Sequence, residues 1–360
     1  MPLQIGIIGL PNVGKSTLFN ALTQAQVEAS NYPFCTVDPN IGIVEVPDPR
    51  LQELRRILKP VSCTPTAIQF VDIAGLIRGA NKGEGLGNTF LGHIRQADAL
   101  VHVVRCFADE QITHIDGAVD AQRDVETIDT ELMLADLESV IHALPPLERL
   151  LQTDPRSERR LEWTTLKDIE GVLADGRGIG SLKLDSNALA SIKSYHFLSA
   201  KPVIIVANVD EGETQNDLKE WAQRFSDNEI LAISAQIEAE IAQLPYTEQA
   251  VFLQDLGLSE SGVSCLIRTG FRLLGLVTFY TAAHEKLQAW QVPINSTAPQ
   301  AAGRIHSDME ERFIRAEVAS YDDLLKAGSW QGLKEKGRLR TEGRGYLIED
   351  GDVVQFLFKP

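Results

Sequence analysis

Gly9-Leu10-Pro11-Asn12-Val13-Gly14-Lys15-Ser16 follows directly on the apolar run Leu3 to Ile8 and leads into Thr17 to Leu22, which has the pattern of a helix's first turns. The octapeptide fits G-x-x-x-x-G-K-[ST]. The flanks matter more than the match, because an anion is held by successive backbone N–H groups and a helix N-terminus, which a strand, a loop and a helix in that order supply. All three are here. Gly9 and Gly14 admit backbone angles that a β-carbon hinders, Lys15 has the reach for β- and γ-phosphates, and Ser16 offers a hydroxyl to Mg²⁺. Asn12, Val13, Gly14, Lys15, Ser16 and Thr17 are therefore the expected phosphate-side contacts.

Working outward, further apolar runs occur at Ile41 to Val46, Ala67 to Ile73, Leu100 to Val104, Val203 to Ala207 and Ile230 to Ile233. Each is short, rich in β-branched residues and almost continuously apolar, as strands covered on both faces of a mostly parallel sheet must be. Helical patterns alternate with them, which predicts an α/β fold with its ligand loops at the carboxyl ends of the strands. About a hundred residues separate the fourth and fifth of the six runs, counting Leu3 to Ile8 as the first. That is far beyond an ordinary crossover and marks an insertion. Within it Leu134, Leu137, Ile141 and Leu144, and after a break at Asp154-Pro155 Leu166, Ile169 and Leu173, predict two helices with facing apolar seams, an antiparallel helical arm.

Composition narrows the setting. At 360 residues with 44% hydrophobic and 23% charged content, the chain has room for two or three domains and a large core. The strand beginning at Leu3 leaves no room for a signal peptide, and no apolar run approaches the roughly 18 residues of a membrane span, so a cytoplasmic protein with no membrane partner is expected. Its four cysteines lack C-x-x-C spacing, which argues for free thiols rather than a zinc site or a disulfide framework. A net charge of -16 excludes a chain-wide nucleic-acid footprint and confines any RNA contact to a local patch.

Two segments complete a nucleotide site. The third run ends in Asp72-Ile73-Ala74-Gly75, the D-x-x-G arrangement in which the aspartate supports Mg²⁺ through its water shell and the Gly75 N–H meets the γ-phosphate. Upstream, Asn31-Tyr32-Pro33-Phe34-Cys35-Thr36 is a polar loop in which Thr36 has the hydroxyl to complete the Mg²⁺ shell, and Cys35 beside it is either an ordinary buried or exposed thiol or one that would disturb that shell if oxidised. The base-reading position is a departure. Guanine-specific proteins of this architecture carry N-K-x-D after the fifth strand, where this chain has Asn208-Val209-Asp210-Glu211. Val209 removes the lysine stem, and Glu211 adds a methylene that displaces the carboxylate from guanine N1–H and N2–H₂. Losing a well-placed acceptor harms guanine more than adenine, so ATP is the expected nucleotide, with GTP second. Ser234-Ala235 is the expected small-residue loop over the base. Asn12 has two open roles, hydrogen bonding within the loop or helping to hold K⁺ beside the phosphates.

These residues, together with Gly79-Ala80-Asn81-Lys82-Gly83-Glu84-Gly85-Leu86-Gly87-Asn88, make the chain resemble the YchF and Obg-like ATPase family of Obg-related P-loop NTPases over essentially its whole length. The resemblance implies a Ras-like P-loop nucleotide domain at 1–128 and 200–275, an inserted helical domain at 129–199 and a C-terminal TGS domain of β-grasp fold at 276–360. It also implies ATP hydrolysis and association with ribosomes. Ras-like enzymes orient the attacking water with a glutamine after D-x-x-G, where this chain has Leu76, which can neither donate nor accept a hydrogen bond. The resemblance points instead to His114, whose imidazole can position water or shuttle a proton near neutral pH. A solvated loop histidine is the competing explanation. Near the C-terminus Lys334, Lys336, Arg338, Arg340 and Arg344 are locally dense, suiting either a modest ribosomal RNA contact or a solvated charged loop. A monomeric switch acting in translation or stress regulation is expected. Two other functions fit the same residues: a guanine-specific ribosome-assembly GTPase, and a nucleotide-gated ribosome- or RNA-binding module in which hydrolysis is incidental.

Overall fold

The computed structural model describes residues 3–24, 40–73, 86–109, 111–114, 117–212, 223–225, 228–283 and 286–359. In chain order these form β1 (Gln4–Ile8), α1 (Lys15–Gln24), β2 (Ile41–Glu45), α2 (Pro49–Leu58), β3 (Ser62–Thr64), β4 (Ala67–Asp72), α3 (Leu86–Gln96) and β5 (Ala99–Arg105). The arm follows as α4 (Ala121–Thr153), α5 (Arg160–Ala174) and α6 (Ser186–Ile192), and then β6 (Val203–Asn208), β7 (Glu229–Ile233), α7 (Ala235–Gln243), α8 (Tyr246–Asp255) and α9 (Gly262–Leu273). The chain closes with β8 (Leu276–Ala283), β9 (Lys286–Pro293), α10 (Ala298–Ile305), α11 (Ser307–Glu311), β10 (Phe313–Ser320), α12 (Tyr321–Ala327), α13 (Trp330–Glu335), β11 (Arg340–Glu342) and β12 (Asp352–Phe358). No helix among the described residues is long and apolar enough to cross a membrane.

The chain divides into two compact units, Met1–Gly42 with Gln69–Val263, and Ile43–Ile68 with Ser264–Pro360. The six apolar runs all become strands of one sheet in the order β2-β4-β1-β5-β6-β7, with β1 parallel to β4 and β5, β5 to β6, and β6 to β7. Central position explains the almost continuous hydrophobicity: all seven residues of β5 are buried, His102 and Arg105 among them. The carboxyl ends of β1, β4, β5 and β6 present Gly9, Asp72, Arg105 and Asn208, so ligand chemistry gathers at that edge.

The arm's first helix begins at Ala121, capped by Asp120 accepting from the Arg123 N–H, eight residues before the expected boundary at 129. Its seam is also rotated. Leu134 and Ile141, expected inside, are 40% and 50% exposed, while Met133, Leu137, Val140, Leu144 and Leu147 meet Leu166, Ile169 and Leu173. Both stripes have helical spacing; the one that wins runs longer and brings Val140 and Leu147 into the core. Buried Asp136 fastens α4 to the chain entering β6 by accepting from Leu198 N (2.8 Å), Ser199 N (2.7 Å) and Ser199 Oγ (2.7 Å).

The second unit is a sheet in the order β11-β10-β12-β8-β9-β3, with β8 and β9 a hairpin, β12 parallel to β8 and β10 antiparallel to β12. Neighbouring residues feed opposite faces, as a period of two demands: Phe279 and Val354 join Ala301, Phe313 and Phe356, whereas Tyr280 and Val353 join Leu51, Leu54, Leu324 and Leu333. Residues 43–68, expected in the nucleotide domain, belong here because α2 supplies Leu51 and Leu54 and β3 pairs with β9. The C-terminal part of this unit begins at Ser264 and so takes in most of α9, ahead of the expected boundary at 276.

Candidate functional site

The phosphate loop is built by backbone angles before side chains. Gly9 has φ 150°, and a β-carbon there would stand 2.4 Å from the Val103 carbonyl oxygen; Gly14 has φ 96°, with a β-carbon falling 2.2 Å from Asn208 Nδ2. Asn12 takes the left-handed region at φ 62°. The Gly14 carbonyl then accepts from Leu18 N at 3.0 Å, starting α1. Val13 is buried, so its contribution is main-chain, and Thr17 is exposed. Lys15 is only 7% exposed and donates from Nζ to the Leu10 carbonyl at 2.7 Å. Burial pushes its ammonium below the ordinary lysine value, with the Asp72 carboxylate pulling the other way. Ser16 Oγ donates to Asp72 Oδ2 at 3.2 Å, so the two side chains expected to serve Mg²⁺ face each other. Thr36, Gly75 and Cys35 lie outside the described residues.

The base loop is tied to the phosphate loop by Asn208. Its Nδ2 donates to the Val13 carbonyl and its Oδ1 accepts from Ala235 N, both at 2.9 Å. With both ends of its amide engaged, this side chain aligns the two loops. Val209 is buried beside Ala207, Cys106 and Ala232, and Asp210 Oδ2 accepts from Ala108 N at 3.0 Å. Glu211 is exposed, Ser234 is half-buried at the N-terminus of α7, and Ala235 is buried.

His114 is not a solvated loop residue. It is 6% exposed, and its Nε2 lies 2.9 Å from Asp124 Oδ2 on α4, while Asp124 Oδ1 accepts from Arg123 Nη2 at 3.4 Å. Asn12 Nδ2 donates to the Thr113 carbonyl at 3.2 Å, so the phosphate loop touches the residue before His114. Asp124, Asp210 and Arg105 were not expected in this neighbourhood. Asp210 stands in the base motif without an expected role, and Arg105 leaves a trace in the sequence as a charged residue closing an otherwise mostly apolar strand at its carboxyl end.

His102, on β5 opposite Ile8 of β1, is 2% exposed, and burial, with the Lys15 charge adding, pushes its imidazole down to about 3. The folded state therefore excludes a proton that the unfolded chain accepts below about 6.5. Its contribution is complete above that pH and is lost as pH falls toward 3, about 2 kcal/mol by pH 5. The drop in urea-unfolding free energy between pH 7.5 and pH 5 should shrink by about that amount in His102→Leu; an unchanged drop would show that His102 is not its source.

In the second unit all five expected RNA contacts are exposed. Lys334 lies 3.9 Å from Glu317, Lys336 donates to the Lys326 carbonyl at 2.8 Å, Arg340 sits over the Tyr346 ring, and Arg344 sits over Phe313 while donating to its carbonyl at 2.9 Å. Arg338 has no side-chain partner among the described residues.

Comparison with known proteins gives a consistent set of relatives. Residues 4–136 match the family described as 50S ribosome-binding GTPase, and residues 276–359 match the C-terminal YchF-GTPase family, described as a protein of unknown function. A ribosome-binding ATPase YchF from Haemophilus ducreyi is 48% identical over 99% of both chains. Obg-like ATPase 1 from Oryza sativa subsp. japonica is 39% identical over 99% of this chain and 92% of its own. The solved YchF GTPase of Schizosaccharomyces pombe superposes with a TM-score of 0.88 at 32% identity, covering 99% of this chain and 98% of that one.

Proposed function

The chain belongs to the YchF and Obg-like ATPase family, and from that premise we propose that it is a ribosome-associated, cytoplasmic P-loop ATPase that slowly hydrolyses ATP and acts as a nucleotide-dependent switch. The observation that carries the choice of nucleotide is the base loop. Val209 is turned into packing and Glu211 stands where a guanine reader has its short aspartate. A site without that paired acceptor gives up guanine's hydrogen-bond advantage.

Lys15 would exchange the Leu10 carbonyl for the β- and γ-phosphate oxygens, a partner of far greater negative charge. Ser16 and Asp72 fit a Mg²⁺ site, since two hard oxygen donors face each other at the foot of the cradle and leave the other positions to phosphate and water. Thr36 is assigned to the same shell and Gly75 to the γ-phosphate from their motifs. Bound there, Mg²⁺ would neutralise charge on the β- and γ-oxygens. Water attacks the γ-phosphorus, the bond to the β–γ bridging oxygen breaks, and ADP and phosphate leave. His114 orients that water and takes its proton. Because His114 starts buried against Asp124, its loop must rearrange first, which accounts for slow turnover. Asn12 gives its amide nitrogen to Thr113, and the oxygen at its other end is the atom a K⁺ would use.

Competition binding with fluorescent ATP and GTP analogues tests the nucleotide. Wild type should favour ATP, and the Val209→Lys, Glu211→Asp double variant should gain GTP affinity by about tenfold or more. A wild type that favours GTP hands the site to the assembly-GTPase reading. The binding-module reading draws on the sequestration of His114. It requires cellular function to survive in Lys15→Ala or His114→Ala wherever nucleotide and ribosome binding survive.

A further inference from the structure

Arg105 closes β5 with its side chain 2% exposed. Its guanidinium donors go to main-chain carbonyls: Nε to Phe107 (3.3 Å), Nη2 to Asp109 (2.9 Å) and Nη1 to Ile112 (2.8 Å). Its Cζ lies 4.5 Å from the Phe107 ring centroid. Three carbonyls along six residues thus converge on one side chain, and the turn they make delivers Thr113 and His114. The same turn is held from outside at three further points. Asp210 of the base loop accepts from Ala108 N, Asn12 of the phosphate loop donates to the Thr113 carbonyl, and Asp124 of α4 meets His114.

We infer that Arg105 is a positioning residue for hydrolysis, the post that gathers the carbonyls of Phe107, Asp109 and Ile112 so that His114 stands at a defined place relative to both nucleotide-binding loops. A planar fork fixes donors on three separate nitrogens, one toward each carbonyl; a lysine ammonium, a single point on a flexible stem, does not reproduce that spread. The inference rests on the assignment of water positioning to His114. Asp210 gains a role by the same route. It transmits the posture of the base loop to the His114 turn, although it is not itself a base contact.

The test uses full-length protein and measures kcat, KM, ATP-analogue affinity and thermal midpoint for Arg105→Met, Arg105→Lys and Asp210→Ala, each alone and combined with His114→Ala. Misplacing a reacting group by about 1 Å costs on the order of 10²-fold, so Arg105→Met should lower kcat by about 10- to 100-fold. Nucleotide affinity should stay within about threefold, and Arg105→Lys should recover part of the loss. In the His114→Ala background neither Arg105→Met nor Asp210→Ala should lower kcat further, because the group they position is gone. An unchanged kcat, an equal loss with and without His114, or a loss of affinity in step with kcat would each overturn the inference. If Arg105→Met does not fold, Asp210→Ala at its exposed site decides by the same criteria. Wild-type turnover in His114→Ala alone would sink the His114 assignment, visibly and before Arg105 is altered, and this inference with it.

Discussion

Lys15→Ala should lower ATP hydrolysis by about 10²- to 10³-fold and weaken nucleotide binding, the loss associated with removing one donor aimed at developing charge in a shielded site. The structure explains why so much rests on one ammonium. Lys15 is held at the first residue of α1, 7% exposed, its Nζ resting 2.7 Å from the Leu10 carbonyl. Burial already disfavours its charge, and of the groups near it the Asp72 carboxylate supports that charge. Triphosphate oxygens would relieve this cost, so binding energy and charge stabilisation come from the same contact. Folding should survive, since the side chain's hydrogen bond to Leu10 is worth only about 1 kcal/mol. Steady-state hydrolysis and fluorescent ATP-analogue titration check both halves. A variant that binds and hydrolyses like wild type would mean that the cradle does not hold nucleotide.

His114→Ala should leave ATP affinity near the wild-type value and reduce kcat by about 10²- to 10⁴-fold, the range for a positioned general acid–base group. The separation of affinity from rate is the informative part. Among the described residues His114 hydrogen-bonds Asp124, on the helix that continues into the arm, while Ser16 and Asp72 bond each other. On the proposed assignment, removing the imidazole takes away the water-orienting group while the Lys15 and Ser16–Asp72 contacts of the cradle remain. Single-turnover hydrolysis beside equilibrium binding distinguishes the outcomes. A fall in affinity matching the fall in rate would make His114 a structural strut between the β5 turn and α4, and undiminished turnover would exclude it from the chemistry.

His114 and Asn208 show where sequence reasoning stopped short. Each was found as a candidate, from a family pattern in one case and a base-reading motif in the other, yet neither posture was legible. Asn208 binds a residue 195 positions earlier and another 27 later, and spends both ends of its amide on those main chains. His114 is drawn inward by a carboxylate ten residues further on, across a turn whose shape depends on Arg105. In the arm, the stripe through Leu134 and Ile141 and the stripe through Val140 and Leu147 differ by a small rotation of one helix, and only the partner helix chooses between them.

What the sequence by itself determined is local: a glycine-bounded octapeptide between strand and helix, six apolar runs that all became strands of one sheet, and a motif after β6 that departs from N-K-x-D. Backbone angles, strand patterns and helix starts depend on residues close in the chain, so adjacent letters contain them. The tertiary structure alone decided that residues 43–68 join the C-terminal unit through α2 and β3, that Val209 turns into packing, and that the base loop, phosphate loop and α4 all grip the turn wound on Arg105. Those outcomes depend on which distant surfaces fill each other's gaps and satisfy each other's buried donors, and a one-dimensional pattern of hydrophobicity and charge is compatible with many such pairings.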